Sequence, residues 1–282
     1  MNIGSFIFNG EELYGVFEGG AVRAASKELR RSFPTLIDLL KARALPQLRN
    51  DTPEDEISLL QSEITFLPPI PKPGKIIAVG LNYPKPYPVD GIAPPSPENM
   101  ILFSKDQETL LGHRQPLEIP RGLAANSFDY EGELAVIIGT TARHVGLDDA
   151  MTHVLGYSVL NDGSVRDWQK HSIHAGKNFA GSGAWGPWIT TADALPPPQQ
   201  LELNVKLNGE TVQSALGREM IFSVAEQISY ASSIFTLQPG DIIATGSPDG
   251  TGGSRTPKRY LRRGDEIAMS VSGIGTLENS VG

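Results

Sequence analysis

Four prolines in the nine residues Phe66-Leu-Pro-Pro-Ile-Pro-Lys-Pro-Gly74 constrain this chain more than any other feature. Each removes a backbone donor and fixes φ, so the stretch is excluded from helix and from the middle of a sheet. It reads as an extended linker over residues 66–74, between a small N-terminal module (1–65) and a main domain (75–282). In the N-terminal module, strand-like pieces at Asn2–Phe8 and Glu12–Phe17 precede a helical stretch, Thr35–Ala44. Leu36, Ile37, Leu39 and Leu40 give that stretch one apolar stripe, with Thr35 and Asp38 near its start. Asn50–Glu56 is polar and acidic, a loop by composition.

Beyond the linker the pattern is strand-dominated. Lys75–Gly80, Glu133–Gly139 and Val154–Leu160 are rich in Ile, Val and Leu. Leu201–Leu207 alternates and runs into Asn208-Gly209, a strong hairpin signal, with Glu210–Ser214 as the returning strand. Ser223–Phe235 reads as a helix whose Ser223 and Glu226 have the spacing of a capping box. Asp241–Thr245 and Glu266–Val271 follow Gly-Asp turns as further strands. Many strands and few helices predict an α+β fold, mainly β, with a small N-terminal α/β module.

Composition narrows the function classes. A net charge of −8 argues against nucleic acid or an anionic membrane as the main partner, but not against a small anionic substrate. With no cysteine, disulfides and thiolate chemistry are excluded. Met1–Gly10 lacks the basic start and apolar run of a signal peptide, and no apolar stretch approaches the ~18 residues of a membrane span. A cytoplasmic location is the expectation.

Three carboxylates stand out. In Asp129-Tyr-Glu-Gly-Glu133, strand alternation puts Glu131 and Glu133 on one face, about 7 Å apart. Such neighbours repel unless solvated, protonated or neutralised by a cation. Read alone the pair is a solvated strand end, but the apolar run that follows attaches it to a core strand and turns the reading towards a ligand site. Asn161-Asp162-Gly163 ends another apolar strand and is either a turn or the source of a third carboxylate. Together Glu131, Glu133 and Asp162 form an all-oxygen set suited to Mg²⁺ or Mn²⁺, with Ca²⁺ possible; zinc prefers nitrogen or sulfur. Lys177, among small residues and an aromatic, is either surface charge or a cation placed to steady an enolate. The glycine-rich run ending at Gly253 lacks the Gly-Lys-Ser/Thr ending of a phosphate loop.

The order and spacing of these blocks resemble the fumarylacetoacetate hydrolase family over roughly Lys75–Gly282. The pattern comprises Val-Gly-Leu-Asn-Tyr at 79–83, Phe103-Ser-Lys105, and Tyr-Glu-Gly-Glu-Leu-Ala-Val-Ile-Ile-Gly at 130–139. It continues as Asn161-Asp-Gly-Ser-Val-Arg-Asp-Trp-Gln169, Gly176-Lys-Asn-Phe, Gly186-Pro-Trp188, Asn208-Gly-Glu and Leu237-Gln-Pro-Gly-Asp-Ile-Ile-Ala-Thr-Gly-Ser-Pro. An N-terminal module ending in Phe-Leu-Pro-Pro-Ile-Pro looks like the short members with a single catalytic domain. The resemblance implies a twisted β-roll and a Mg²⁺ or Mn²⁺ site held by Glu131, Glu133 and Asp162. It further implies Lys177 facing the substrate's oxygens, Arg166 and Gln169 lining the pocket as catalytic groups, and Tyr83 and Thr245 contacting substrate. Members act on β-diketo and 2-keto acids by C–C hydrolysis, decarboxylation, isomerisation or dehydration, and many are homodimers.

One block departs from the family. After Asn82-Tyr83, where members carry a lid His with a Glu shortly after it, this chain has Pro86 and Val89. Proline offers no proton acceptor, so the usual general base is missing. Three accounts follow: an isomerase, decarboxylase or dehydratase using the metal with Lys177 and Lys85; a base supplied by His171 or His174; or a non-catalytic binder. The expectation is a metal-dependent enzyme acting on a small keto acid as an enolate forms at the metal, with C–C hydrolysis foremost. The prolines at 84, 86, 88, 94 and 95 predict an extended loop over 84–97.

Overall fold

Asn2–Phe8 and Glu11–Glu18 pair as the hairpin β1–β2 in the computed structural model, which describes residues 1–51, 58–84 and 96–282. β3 (Ala21–Ala24), β4 (Ser58–Leu60) and β5 (Thr65–Phe66) complete the N-terminal strands. Three short helices lie between them: α1 (Lys27–Ser32), α2 (Leu36–Lys41) and α3 (Leu45–Asn50). The expected helix is α2, started by a capping box in which Thr35 and Asp38 bond each other's backbone. Its stripe buries Leu36, Leu39 and Leu40 against Ile3, Tyr14 and Leu48.

The main domain continues with β6 (Ile76–Gly80), β7 (Ile101–Ser104), β8 (Leu110–Leu111), β9 (Phe128–Asp129) and β10 (Gly132–Ile138). Next come α4 (Leu147–Ala150), β11 (Val154–Asn161), β12 (Ser164–Val165), α5 (Arg166–Gln169), α6 (Ile173–Lys177) and β13 (Gly183–Thr191). β14 (Glu202–Leu207) and β15 (Glu210–Leu216) form the expected hairpin, with Asn208 at φ 51° and Gly209 at φ 84°, as a tight two-residue turn demands. α7 (Val224–Ile234) starts at the expected capping box, and β16 (Ile242–Ala244), β17 (Glu266–Val271) and β18 (Gly275–Ser280) close the chain.

Among the described residues the large sheet runs β4-β3-β2-β1-β13-β11-β10-β16-β6-β7, with β5 on β1 and β8 on β13. Strands from both sides of the proline stretch share it, because Asn2 and Ile3 pair with Thr190 and Ile189. Residues 67–75 lack regular structure, as the prolines require, yet they pack into the molecule instead of hanging as a tether. Ile70 is 1% exposed, and the carbonyl of Pro69 accepts a hydrogen bond from Ser5 Oγ at 2.9 Å.

A second sheet, β15-β14-β17-β18, turns its apolar face onto the first. Val205, Met269 and Leu277 join Leu134, Val136 and Val159 in one buried cluster. The fold is α+β and mainly β, a sheet rolled over itself with helices at its margins.

His113 reports on how tightly this roll is closed. Its Nδ1 accepts the amide of Glu278 at 3.0 Å, and its ring meets Phe66 edge-on. Burial, with Arg114 adding to it, pushes the imidazole down to about 4 from 6.5. The folded chain therefore binds this proton less readily than the unfolded chain. Stability is full above pH 6.5 and falls as pH drops towards 4, the loss reaching about 3 kcal/mol below that. Urea melts from pH 7 to 4 should show this decline, and His113→Gln should flatten it; an unchanged slope in the variant would clear His113 of any part.

Candidate metal centre

Antiparallel pairing sets the start of β10 beside the end of β11, with Gly132 opposite Asn161 and Glu133 opposite Leu160. The amide of Asp162 donates to the carbonyl of Glu131 at 2.8 Å, so both chain ends turn their carboxylates to one place. Carboxylate oxygens of Glu131, Glu133 and Asp162 lie within 4.8 Å of one another, and all three residues are buried. One detail differs from strand alternation: Glu131 precedes β10 and only Glu133 lies within it. The residue before the strand is held to the end of β11, where Asn161 Oδ1 accepts the Glu131 amide at 3.1 Å.

Cations surround the cluster. Lys177, 4% exposed at the end of α6, places Nζ 2.6 Å from Glu131 Oε2 and 2.5 Å from Asp162 Oδ2. Lys105, just past β7, sends Nζ to the carbonyls of Lys177 and Gly163 at 2.7 and 3.3 Å. It also lies 2.9 Å from Asp162 Oδ1, an ionic contact without hydrogen-bond geometry. Arg166, opening α5, bonds Glu131 through Nη1 and Asp129 Oδ2 through Nε, the latter at 2.7 Å. Glu133 has no cationic partner among the described residues; its Oε2 accepts the amide of Gly246 at 2.8 Å.

These contacts sort the carboxylates. Burial and then the charges of Asp162 and Glu131 raise Glu133 well above the usual carboxylate range. Burial also pulls Glu131 and Asp162 upward, but Lys177 with Arg166, and Lys105 with Lys177, outweigh it and hold them low. Lys177 is raised because Asp162 and Glu131 overcome its own burial, so it stays charged. For Lys105 burial wins over Asp162, and its value is lowered.

Whether these residues suit a metal is decided by the donors. Three cationic side chains face four carboxylates including Asp129, which leaves one negative charge for a proton on Glu133 or a bound cation to offset. Asp162 Oδ1 is buried without a hydrogen bond. A set made only of oxygens, with one anion uncompensated, fits a hard divalent cation such as Mg²⁺, Mn²⁺ or Ca²⁺.

Around this cluster the other sequence-derived residues divide. Gln169 Oε1 lies 3.4 Å from Arg166 Nη1. Tyr83 is 8% exposed, and burial followed by the charges of Glu133 and Glu219 pushes its phenol well up. Thr245 is fully buried and its hydroxyl donates to the carbonyl of Leu134 at 2.9 Å, stitching β16 to β10. His171 and His174 are exposed; the first lies against Trp168 and the second contacts Asn178. Lys85, Pro86, Val89 and most of the loop expected over 84–97 lie outside the described residues. Two groups to which the sequence reading gave no role also belong here: Lys105, which closes the family block Phe103-Ser-Lys105, and Asp129, hidden by the acids that follow it.

Comparison with known proteins places the chain in a family. Residues 75–282 match the family described as Fumarylacetoacetate (FAA) hydrolase C-terminal. Over 237 residues the chain is 38% identical to oxaloacetate tautomerase YisK of Bacillus subtilis (strain 168), covering 82% of this chain and 78% of that protein. Fumarylacetoacetate hydrolase from psychrophilic Exiguobacterium antarcticum has the same fold, with a TM-score of 0.84 at 32% identity over 100% of this chain and 99% of that one. Maleylpyruvate hydrolase from Sphingobium sp. SYK-6, in complex with manganese(II) ion and pyruvate, gives a TM-score of 0.79 at 27% identity, over 100% of this chain and 98% of that one. The family match over most of the chain and the likeness in fold over its whole length establish that this protein belongs to the fumarylacetoacetate hydrolase family.

Proposed function

We propose that the chain is a divalent-metal-dependent enzyme that interconverts the keto and enol forms of a small 2-keto dicarboxylic acid, oxaloacetate being the first to test. The observation that carries this reading is the seat of Lys177, 2.6 Å from Glu131 and 2.5 Å from Asp162. The two carboxylates keep its ammonium charged, and a fixed positive charge in a buried site favours an oxygen that gains negative charge. A hard cation held by Glu131, Glu133 and Asp162 would polarise the keto group and acidify the neighbouring C–H.

Tautomerisation passes one proton from carbon to a base, which solvent water can supply, and puts one on oxygen; no C–C bond breaks and no nucleophilic water is needed. Hydrolysis needs a nucleophilic water, and Pro86 and Val89 occupy the positions of the expected His and Glu. The name of the Bacillus subtilis relative, an oxaloacetate tautomerase, supports the same choice. C–C hydrolysis is the second reading, favoured by the likeness to maleylpyruvate hydrolase, and would take His171 or His174 as base. The manganese and pyruvate in that complex support Mn²⁺ and a 2-keto acid here. Because the family match begins at Lys75, directly after the proline stretch, 75–282 is the proposed catalytic domain. A homodimer rests on the family resemblance alone and is tested by light scattering.

The deciding assay follows the ultraviolet absorbance of enol-oxaloacetate with Mg²⁺ or Mn²⁺ present. The expected result is a rate well above buffer, lost with a chelator and restored by the metal, while acylpyruvates are hydrolysed poorly. General-base help worth about 10²–10⁴-fold is missing for that second reaction. Acylpyruvate turnover near ordinary enzyme rates of about 10 s⁻¹, with no effect on the enol, would replace this reading with the hydrolytic one.

A further inference from the structure

The run Ser247-Pro-Asp-Gly-Thr-Gly-Gly253 follows β16 as a phosphate-binding loop would follow its strand, without the residues that close on phosphate. Its amides nevertheless hold an anion, and the anion is part of the chain. Asp129, fully buried, accepts the amide of Gly252 on Oδ1 and that of Gly253 on Oδ2, each at 2.8 Å. Oδ1 also accepts the amide of Tyr130 at 2.9 Å, and Oδ2 takes Arg166 Nε at 2.7 Å. A Cβ at position 252 would stand 2.6 Å from Asp129 Oδ1 and 2.2 Å from the carbonyl oxygen of Arg259. One at 253 would stand 3.2 Å from Asp129 Oδ2 and 3.3 Å from Arg166 Nε. The glycines are there because the backbone itself closes on the carboxylate.

The consequence falls on Arg166. A guanidinium is planar and rigid, so two contacts fix its orientation. Nε is pinned by Asp129 and Nη1 by Glu131, which leaves Nη2 buried and without a partner among the described residues. We propose that Asp129, seated in the amides of Gly252 and Gly253, is a positioning residue that aims Arg166 Nη2 at a carboxylate of the substrate. Without the seat, Arg166 keeps Glu131 as its carboxylate partner and is drawn towards a metal-ligand candidate and away from substrate. The inference rests on the reading that this site takes a small keto acid bearing a carboxylate.

A double-mutant cycle between Asp129→Asn and Arg166→Gln tests it, with oxalate binding to the Mn²⁺-loaded protein measured by calorimetry. The amide keeps the shape of Asp129 but presents a donor where a donor already stands. Asp129→Asn is expected to weaken oxalate roughly tenfold or more, since a charge-assisted hydrogen bond directs the guanidinium. The double variant should bind oxalate no more weakly than Arg166→Gln alone, because both changes remove one device. In turnover the same substitution should raise KM more than it lowers kcat, the mark of a lost ground-state carboxylate contact. Should Asp129→Asn not fold, Gly253→Ala keeps every charge and crowds Arg166 Nε, and a smaller loss of oxalate affinity is expected. Additive effects overturn the proposal, as does oxalate affinity left unchanged by Asp129→Asn or absent from the wild-type chain. A wild-type chain inactive on oxaloacetate whose oxalate cycle is still coupled would sink the tautomerase reading and leave Asp129 its role.

Discussion

Replacing Lys177 with Met is expected to lower kcat on oxaloacetate by roughly 10²–10³-fold, the usual cost of losing one preorganised group that stabilises an oxyanion. The size follows from burial. Lys177 is 4% exposed and its ammonium sits between Glu131 and Asp162, where little water is available to replace it. The substitution also takes one of two cationic partners from each buried carboxylate, Arg166 staying with Glu131 and Lys105 with Asp162, which destabilises the metal-free chain. Circular dichroism and kcat should therefore be compared in Mn²⁺-saturated protein, where the cation compensates the carboxylates. A folded, Mn²⁺-loaded Lys177→Met with wild-type kcat would make the lysine a structural counter-ion and nothing more.

Glu133→Gln should have opposite effects on stability and on metal affinity. Glu133 is 1% exposed, has no cationic partner among the described residues, and is pushed up by burial and by Asp162 and Glu131. Its carboxylate is thus a burden to the metal-free fold. The amide keeps the oxygen that accepts the Gly246 amide, so thermal stability without metal is expected to stay level or rise. Affinity for Mn²⁺ should meanwhile fall by roughly 100-fold or more, since a hard cation loses an anionic ligand. Calorimetric titration of Mn²⁺ into both proteins gives the answer, and equal affinities would remove Glu133 from the ligand set.

Features set by local chemistry were legible in the sequence. The turn at Asn208-Gly209 needs two positive φ values, and the start of α7 needs Ser223 and Glu226 three residues apart; both are dictated by their own few residues. The acidic pair at Glu131 and Glu133 was equally plain, because like charges two residues apart at the head of an apolar strand require an explanation. Short elements were harder to read. α1 and α3 are as short as α2 but lack its stripe of four apolar residues, and β13 carries Gly186 and Pro187 in its middle, where composition signals a break.

The surroundings of the carboxylates were decided only in three dimensions. Lys105 reaches the carbonyl of Lys177 across 72 residues of chain, and Arg166 reaches Asp129 across 37. No local rule distinguishes such a lysine or aspartate from a solvated one; burial and a partner do, and both come from sheet pairing. The same holds for Thr245, whose hydroxyl is turned to the carbonyl of Leu134, and for the proline stretch, which packs inward because β1 joins β13. By itself the sequence determined the longer apolar strands, the tight turn, the acidic ligand candidates and the family pattern, since each is written in near neighbours or in the order and spacing of motif blocks. Tertiary structure alone decided which cations neutralise which carboxylates, because long-range pairing of β11 with β10 and β13 is what brings those charges out of water and together.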